Sequence, residues 1–161
     1  NKKLNKKVET GGPALFYWGK SLIPIHYISN STDRFSFYTK IHSAKKEKEF
    51  KDINSELRDR YGKIPKETES FINLAKLSLL YRGSLVKSIS IGEDSLVFKI
   101  PNIIKSGGNL LIPKILSYKN NNIIKKKFKE DAGFVSVVFF TKKGYNWFSE
   151  LINCNSLFYK T

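Results

Sequence analysis

From Ser31 to Tyr81 the apolar positions recur at helical spacing, and beyond Gly83 they alternate. In the first of three expected helices, Ser31 can cap the N-terminus, Asp33 in the first turn suits the helix dipole, and Phe35, Tyr38 and Ile41 form the stripe. The second, about 45–61, carries Phe50, Ile53, Leu57 and Tyr61 on one stripe, with Gly62 placed to end it in the left-handed conformation. Pro65 opens the third at its first turn, followed by Glu67 and Glu69. From Phe71 to Tyr81 that helix is apolar over most of its circumference, which predicts a central helix covered on more than one side.

The period then becomes two. Lys87-Ser88-Ile89-Ser90-Ile91 and the alternating Leu96, Phe98 and Ile100 predict a hairpin across Gly92-Glu93-Asp94. A weaker helix is expected over Leu110–Tyr118, then strands at about 123–129 and 134–140 joined by Glu130-Asp131-Ala132-Gly133, then a helix over 142–152. Three helices followed by two hairpins, each with its own helix, define an α+β fold in which one face of an antiparallel sheet packs against helices. Residues 1–22 read as linker: lysines, then the breaker cluster Thr10-Gly11-Gly12-Pro13. The aromatic patch Phe16-Tyr17-Trp18 is expected to pack on the domain or on a part of the parent chain outside it. The domain itself is expected over 23–155.

A length of 161 residues fits one domain, and 40% apolar content supplies its core. The net charge of +15 has two readings. It can mark a polyanionic partner. It can also reflect composition, because 25 of the 29 basic residues are Lys and only 4 are Arg, the better fork for phosphate and guanine. The compositional reading is preferred. Cys154 is the only cysteine, so no disulfide forms within the chain and no cysteine zinc site is built, in keeping with a reducing cytoplasm. No apolar run approaches the ~18 residues of a membrane span, and the first residues lack the apolar core of a signal peptide. The chain does not begin with Met, as expected of a piece of a longer protein, and it contains none elsewhere, which that expectation does not explain.

Catalytic chemistry has no visible carrier. Gly19-Lys20-Ser21 lacks the upstream Gly of a phosphate-binding loop, since Ala occupies position 14, and no clear strand is read before it. His26 and His42 have no neighbouring Cys or His at ligand spacing, and Cys154, beside Leu151 and Ile152, reads as buried packing. No metal or cofactor is implied. An unrecognised hydrolase would need a pocket gathering carboxylates or His42. Of the basic runs, Lys45-Lys46-Glu47-Lys48 is diluted by acids and reads as a solvated helix face. Lys125-Lys126-Lys127 reads as an edge strand guarded against aggregation in preference to a DNA contact, for want of interleaved Arg or exposed stacking aromatics.

Two segments carry a family signal. The first runs from Ile23-Pro24-Ile25-His26-Tyr27-Ile28 through Arg34 to Tyr38-Thr39-Lys40-Ile41. The second and more specific is Glu56-Leu57-Arg58-Asp59-Arg60-Tyr61-Gly62-Lys63-Ile64-Pro65, followed by an apolar helix and a strand. Together they resemble the C-terminal domain of bacterial transcription-repair coupling factors, over about 23–100. At Gly83-Ser84-Leu85-Val86 the chain departs from the family pattern, its Gly falling two places early.

The resemblance implies a non-catalytic regulatory domain, joined through 1–22 to an upstream ATP-dependent DNA translocase that displaces stalled RNA polymerase and recruits excision repair. The domain would dock within the same chain on a UvrB-like module, mask the surface that binds UvrA, and hold down translocation. RNA polymerase, DNA and UvrA would be reached only through the parent protein, and no membrane is involved. The resemblance carries the docking contacts to Glu56, Asp59 and Arg60. At i, i+3 and i+4 these residues share one helix face beside the Ile53/Leu57/Tyr61 stripe, where two carboxylates and a guanidinium can form releasable charge-assisted bonds. Glu56 and Arg60 are also an i,i+4 pair that can serve only its own helix. Arg34, Tyr61, Gly62 and Pro65 read as scaffold. The alternative to docking is a basic nucleic-acid-binding module.

Overall fold

A computed structural model describes residues 12–102 and 111–159. Its contacts divide the chain into two compact units, Gly19–Leu79 and a second made by the residues up to Trp18 together with those from Leu80 onward.

The first unit is helical. Helices α1 (Ser31–Ser43), α2 (Glu47–Tyr61) and α3 (Lys66–Leu80) follow the expected order. Asn30 rather than Ser31 caps α1. It has the extended backbone that a cap requires, and its Oδ1 accepts the Asp33 N–H at 3.0 Å. The expected stripe of α1 is also corrected. Phe35 is 73% exposed, while Phe37 and Ile41, four residues apart, are buried. Apolar residues at 35, 37, 38 and 41 allow several stripes, and what packs against the helix selects one. Phe37 and Ile41 join Phe50, Ile53, Leu57 and Ile72 in one core, with Ile23 and Ile28 from the preceding loop. Around α3 every side chain from Phe71 to Leu79 is at least partly covered, in agreement with its all-round apolar pattern, although Leu80 is exposed. The carbonyl of Pro65 accepts the N–H of Thr68 and Glu69, so the proline stands just ahead of α3.

The second unit is a five-stranded sheet. Strands β2 (Ser88–Ile91) and β3 (Ser95–Pro101) form the first hairpin. Strands β4 (Ile123–Asp131) and β5 (Phe134–Thr141) form the second. The two hairpins join through antiparallel β3–β5 pairing. A strand not expected from the sequence, β1 (Ala14–Tyr17), lies parallel to β2 at the other edge, giving the order β1-β2-β3-β5-β4. Part of the stretch read as linker is therefore sheet; residues 1–11 lie outside the described residues. Ala14-Leu15-Phe16-Tyr17 shows no alternation, and its partner is remote in sequence, so pattern alone did not reveal it.

Short helices α4 (Leu111–Ser117) and α5 (Trp147–Asn153), followed by a 3-10 turn at Asn155–Phe158, complete the unit; residue 110 lies outside the described residues. The last helix starts at Trp147 instead of 142, because Gly144 has φ of 77° and Asn146 caps the helix through its Oδ1. The second turn is shorter than expected: β4 runs to Asp131, leaving Ala132 and Gly133. One sheet face is buried, with Ile89, Leu96, Phe98, Ile100, Val137 and Phe139 all inaccessible to solvent. Phe158 stacks on Phe98 at 4.4 Å and Tyr118 on Phe139 at 6.2 Å, so helical segments cover that face. A Cβ added at Gly92 in the first hairpin turn would stand 2.7 Å from Ser95 Oγ and 3.3 Å from the Ser95 carbonyl oxygen, so the Ser95 hydroxyl would have to turn aside.

Candidate docking surface

Helix α2 is held by its buried stripe of Phe50, Ile53 and Leu57. Its C-terminus is fastened by Gly62 and Tyr27. The Gly62 N–H bonds to the Arg58 carbonyl at 2.9 Å. The Tyr27 hydroxyl donates to the carbonyls of Leu57 and Gly62, at 3.1 and 2.8 Å. The expected left-handed turn is only half right: Gly62 has φ of 85° but ψ of −159°, an extended mirror-image conformation essentially reserved to glycine. Arg34, read as scaffold, donates to the carbonyls of Ile28 and Ser29 at 2.8 and 2.9 Å, tying the loop to the start of α1.

The structure separates the three candidate residues. Glu56 and Arg60 turn toward α1. Lys40 Nζ lies 3.1 Å from both Glu56 carboxylate oxygens, and Arg60 reaches Glu56 Oε2 at 3.4 Å. The other end of the guanidinium approaches Asp33 Oδ2 at 3.8 Å. Arg60 also lies over the rings of Tyr61 and Phe37, with the guanidinium carbon 5.0 and 5.6 Å from the ring centres. Lys40 and Asp33 therefore belong to this site. The sequence showed both residues, but only the packing of α1 on α2 makes them neighbours of Glu56 and Arg60. Asp59 points elsewhere. It is exposed and makes no ion pair or hydrogen bond among the described residues.

The ion pairs are solvent-facing, with side-chain exposures between 38 and 47%. At that exposure each is worth a few tenths of a kcal/mol. The network orients its side chains without locking them.

Elsewhere, His26 and His42 are exposed, and Cys154 is buried, as its apolar neighbours suggested. Burial pushes the Cys154 thiol up to about 12. Gly19-Lys20-Ser21 does follow a strand, contrary to expectation, but the next helix begins only at Ser31, so the loop does not lead directly into a helix N-terminus as a phosphate-binding loop does. Among the described residues no group of three or more His, Cys, Asp and Glu is arranged to hold a metal, and no helix is long and apolar enough to cross a membrane. One buried acid was not singled out from the sequence. Glu150 is 1% exposed; its Oε2 accepts from Asn120 at 2.9 Å and Tyr118 at 3.2 Å, while its Oε1 has no hydrogen-bond partner among the described residues. Burial raises its pKa, and the Tyr118 hydrogen bond opposes the shift.

A family model described as the TRCF domain matches residues 19–106, which include α1, α2 and α3 and the first hairpin. The transcription-repair-coupling factor of Borreliella burgdorferi is 33% identical over 81 residues, 50% of this chain. That of Escherichia coli is 40% identical over 57 residues, 35% of this chain. These matches span only 7% and 5% of the respective relatives. Among solved structures, a crystal structure of the C-terminal domain of a transcription-repair coupling factor superposes with a TM-score of 0.70, covering 91% of both chains at 17% identity. That likeness extends the agreement in fold past residue 106.

Proposed function

Since the chain belongs to the TRCF domain family, whose model matches more than half of it, we propose that it is a non-catalytic docking domain that restrains the motor of a transcription-repair coupling factor. In this reading α2 seats on the UvrB-like module of the same polypeptide, covers the surface that UvrA would take, and keeps the ATP-dependent translocase quiet until RNA polymerase is engaged. Asp59 is the observation that carries it. An exposed carboxylate without a partner among the described residues stands on a helix anchored by its buried stripe and by Tyr27, and the next residue, Arg60, carries a guanidinium that is oriented but not buried.

A rigid helix loses little conformational freedom when it docks, and a carboxylate already in water can form a charge-assisted bond without first breaking another. Glu56 and Arg60 would exchange their weak internal pairs for partner groups, so the contact stays reversible. The test is binding of this chain to a separately produced UvrB-like module, measured by calorimetry. Binding that falls when Glu56 and Asp59 are both changed to Ala supports the reading. Absence of binding, or indifference to the double change, ends it.

A further inference from the structure

The sheet has a second face. Cross-strand partners share a face, so the register assigns to it Phe16 of β1, Lys99 of β3, Phe134 and Phe140 of β5, and Lys125 and Lys127 of β4. Lys129 continues the β4 row. Phe16 is 60% exposed, Phe140 39% and Phe134 37%, and the four lysines are exposed. Between them lie Ser88, Ser90 and Ser136 and the half-buried Val97 and Val138. Lys99 Nζ sits 5.2 Å from the centre of the Phe134 ring, so a cation and an aromatic face already stand together.

Guarding an edge explains lysines on β4, which is an edge strand. It does not explain Lys99, which lies on the central strand β3, nor three phenylalanines left in water on the side away from the core. Within the strands the face carries one carboxylate, Asp131, at the hairpin end. Lys126 points the other way, its ammonium bound by the carbonyls of Leu116 and Tyr118.

We propose that this open sheet face binds single-stranded nucleic acid, with bases stacked on Phe16, Phe134 and Phe140 and phosphates following Lys125, Lys127 and Lys129. Alternate residues of a strand recur at roughly 7 Å, comparable to successive phosphates of an extended single strand. Exposed aromatic rings offer stacking only to unpaired bases, which favours a single strand over a duplex. Among the described residues the strands carry no Arg on this face, the usual bidentate reader of guanine, which fits sequence-tolerant binding. This site lies on the sheet and does not rest on the docking helix.

The test uses this chain and fluorescence anisotropy with labelled oligothymidine, oligouridine and a DNA duplex at several salt concentrations. The expected result is preference for the single strands over the duplex, with affinity falling steeply with salt; the two single strands show whether DNA or RNA is the better ligand. Changing Lys125, Lys127 and Lys129 together to Gln should weaken binding and lower the log–log salt slope by about 2, at ~0.7 per phosphate contact. Phe16→Ala, at a site too exposed to endanger folding, should weaken binding about tenfold with the salt slope unchanged. Phe140→Ala should do the same, with circular dichroism confirming the fold. The proposal is overturned by absence of binding at low salt, by equal affinity for duplex, or by indifference to Phe16→Ala. It is also overturned if changing Lys45, Lys46 and Lys48 to Gln is as damaging as the β4 change, since net charge alone would then account for binding. Capture of an acidic protein segment by this face, with no affinity for the oligonucleotides, overturns it too.

Discussion

Asp59→Asn separates docking from stability. The carboxylate is exposed and has no partner among the described residues, so neutralising it removes no interaction that α2 depends on. The expected change in unfolding free energy is within ~0.5 kcal/mol of zero, as for ordinary surface substitutions. Glu56→Gln is the contrast. It weakens the contact with Lys40 at 3.1 Å and the i,i+4 contact with Arg60 at 3.4 Å, both well exposed. Screening limits the two together to roughly 0.5–1 kcal/mol. For a chain of 161 residues that corresponds to a fall of about 1–4 °C in Tm. At the docked interface the order reverses. A hydrogen bond to a charged group is worth about 1.5–3 kcal/mol, so losing the one made by Asp59 should raise Kd by about 10- to 150-fold. Glu56 must first surrender Lys40 and Arg60, so Glu56→Gln should cost less binding than Asp59→Asn. Thermal melts and calorimetric titration against the UvrB-like module, run on both variants, measure the two effects. A clear drop in Tm for Asp59→Asn with undiminished binding would refute the reasoning, because the carboxylate would then serve its own fold.

Gly62→Ala should cost about 1–3 kcal/mol, read as a lower urea midpoint, although nothing lies within 4 Å of the added Cβ; the penalty is wholly backbone. Glu150 sets a pH dependence. Its folded pKa is raised, first by burial, so its neutral form is the one that folding favours. Its contribution is therefore complete below the ordinary carboxylate range and is lost as pH rises through the elevated value. Urea titrations across that range should show the wild type losing stability relative to Glu150→Gln as pH increases, and parallel curves would contradict this. The thiol of Cys154, buried and pushed up to about 12, should resist a disulfide reagent in the native chain and react at once in denaturant. Rapid native labelling would show that α5 and the turn after it open readily.

Local pattern determined much of this protein. The stripe at Phe50, Ile53 and Leu57 and the alternation at Ile89, Ile91, Leu96, Phe98 and Ile100 each follow from the period of one element, and each appears in the structure as expected. The signature from Glu56 to Pro65 was equally legible, because a family motif is contiguous in sequence. Tertiary packing decided what depends on a remote neighbour. Strand β1 exists because β2, far along the chain, supplies hydrogen bonds that a four-residue apolar run cannot make for itself. Phe37 and not Phe35 is buried because one side of α1 joins the core shared with α2. The same packing splits the three candidate residues: helical spacing put Glu56, Asp59 and Arg60 on one side of α2, while Lys40 and Asp33 on α1 engaged two of them and left the third to solvent. Register across four strand pairings, which no single strand encodes, gathered exposed phenylalanines and lysines onto one open surface.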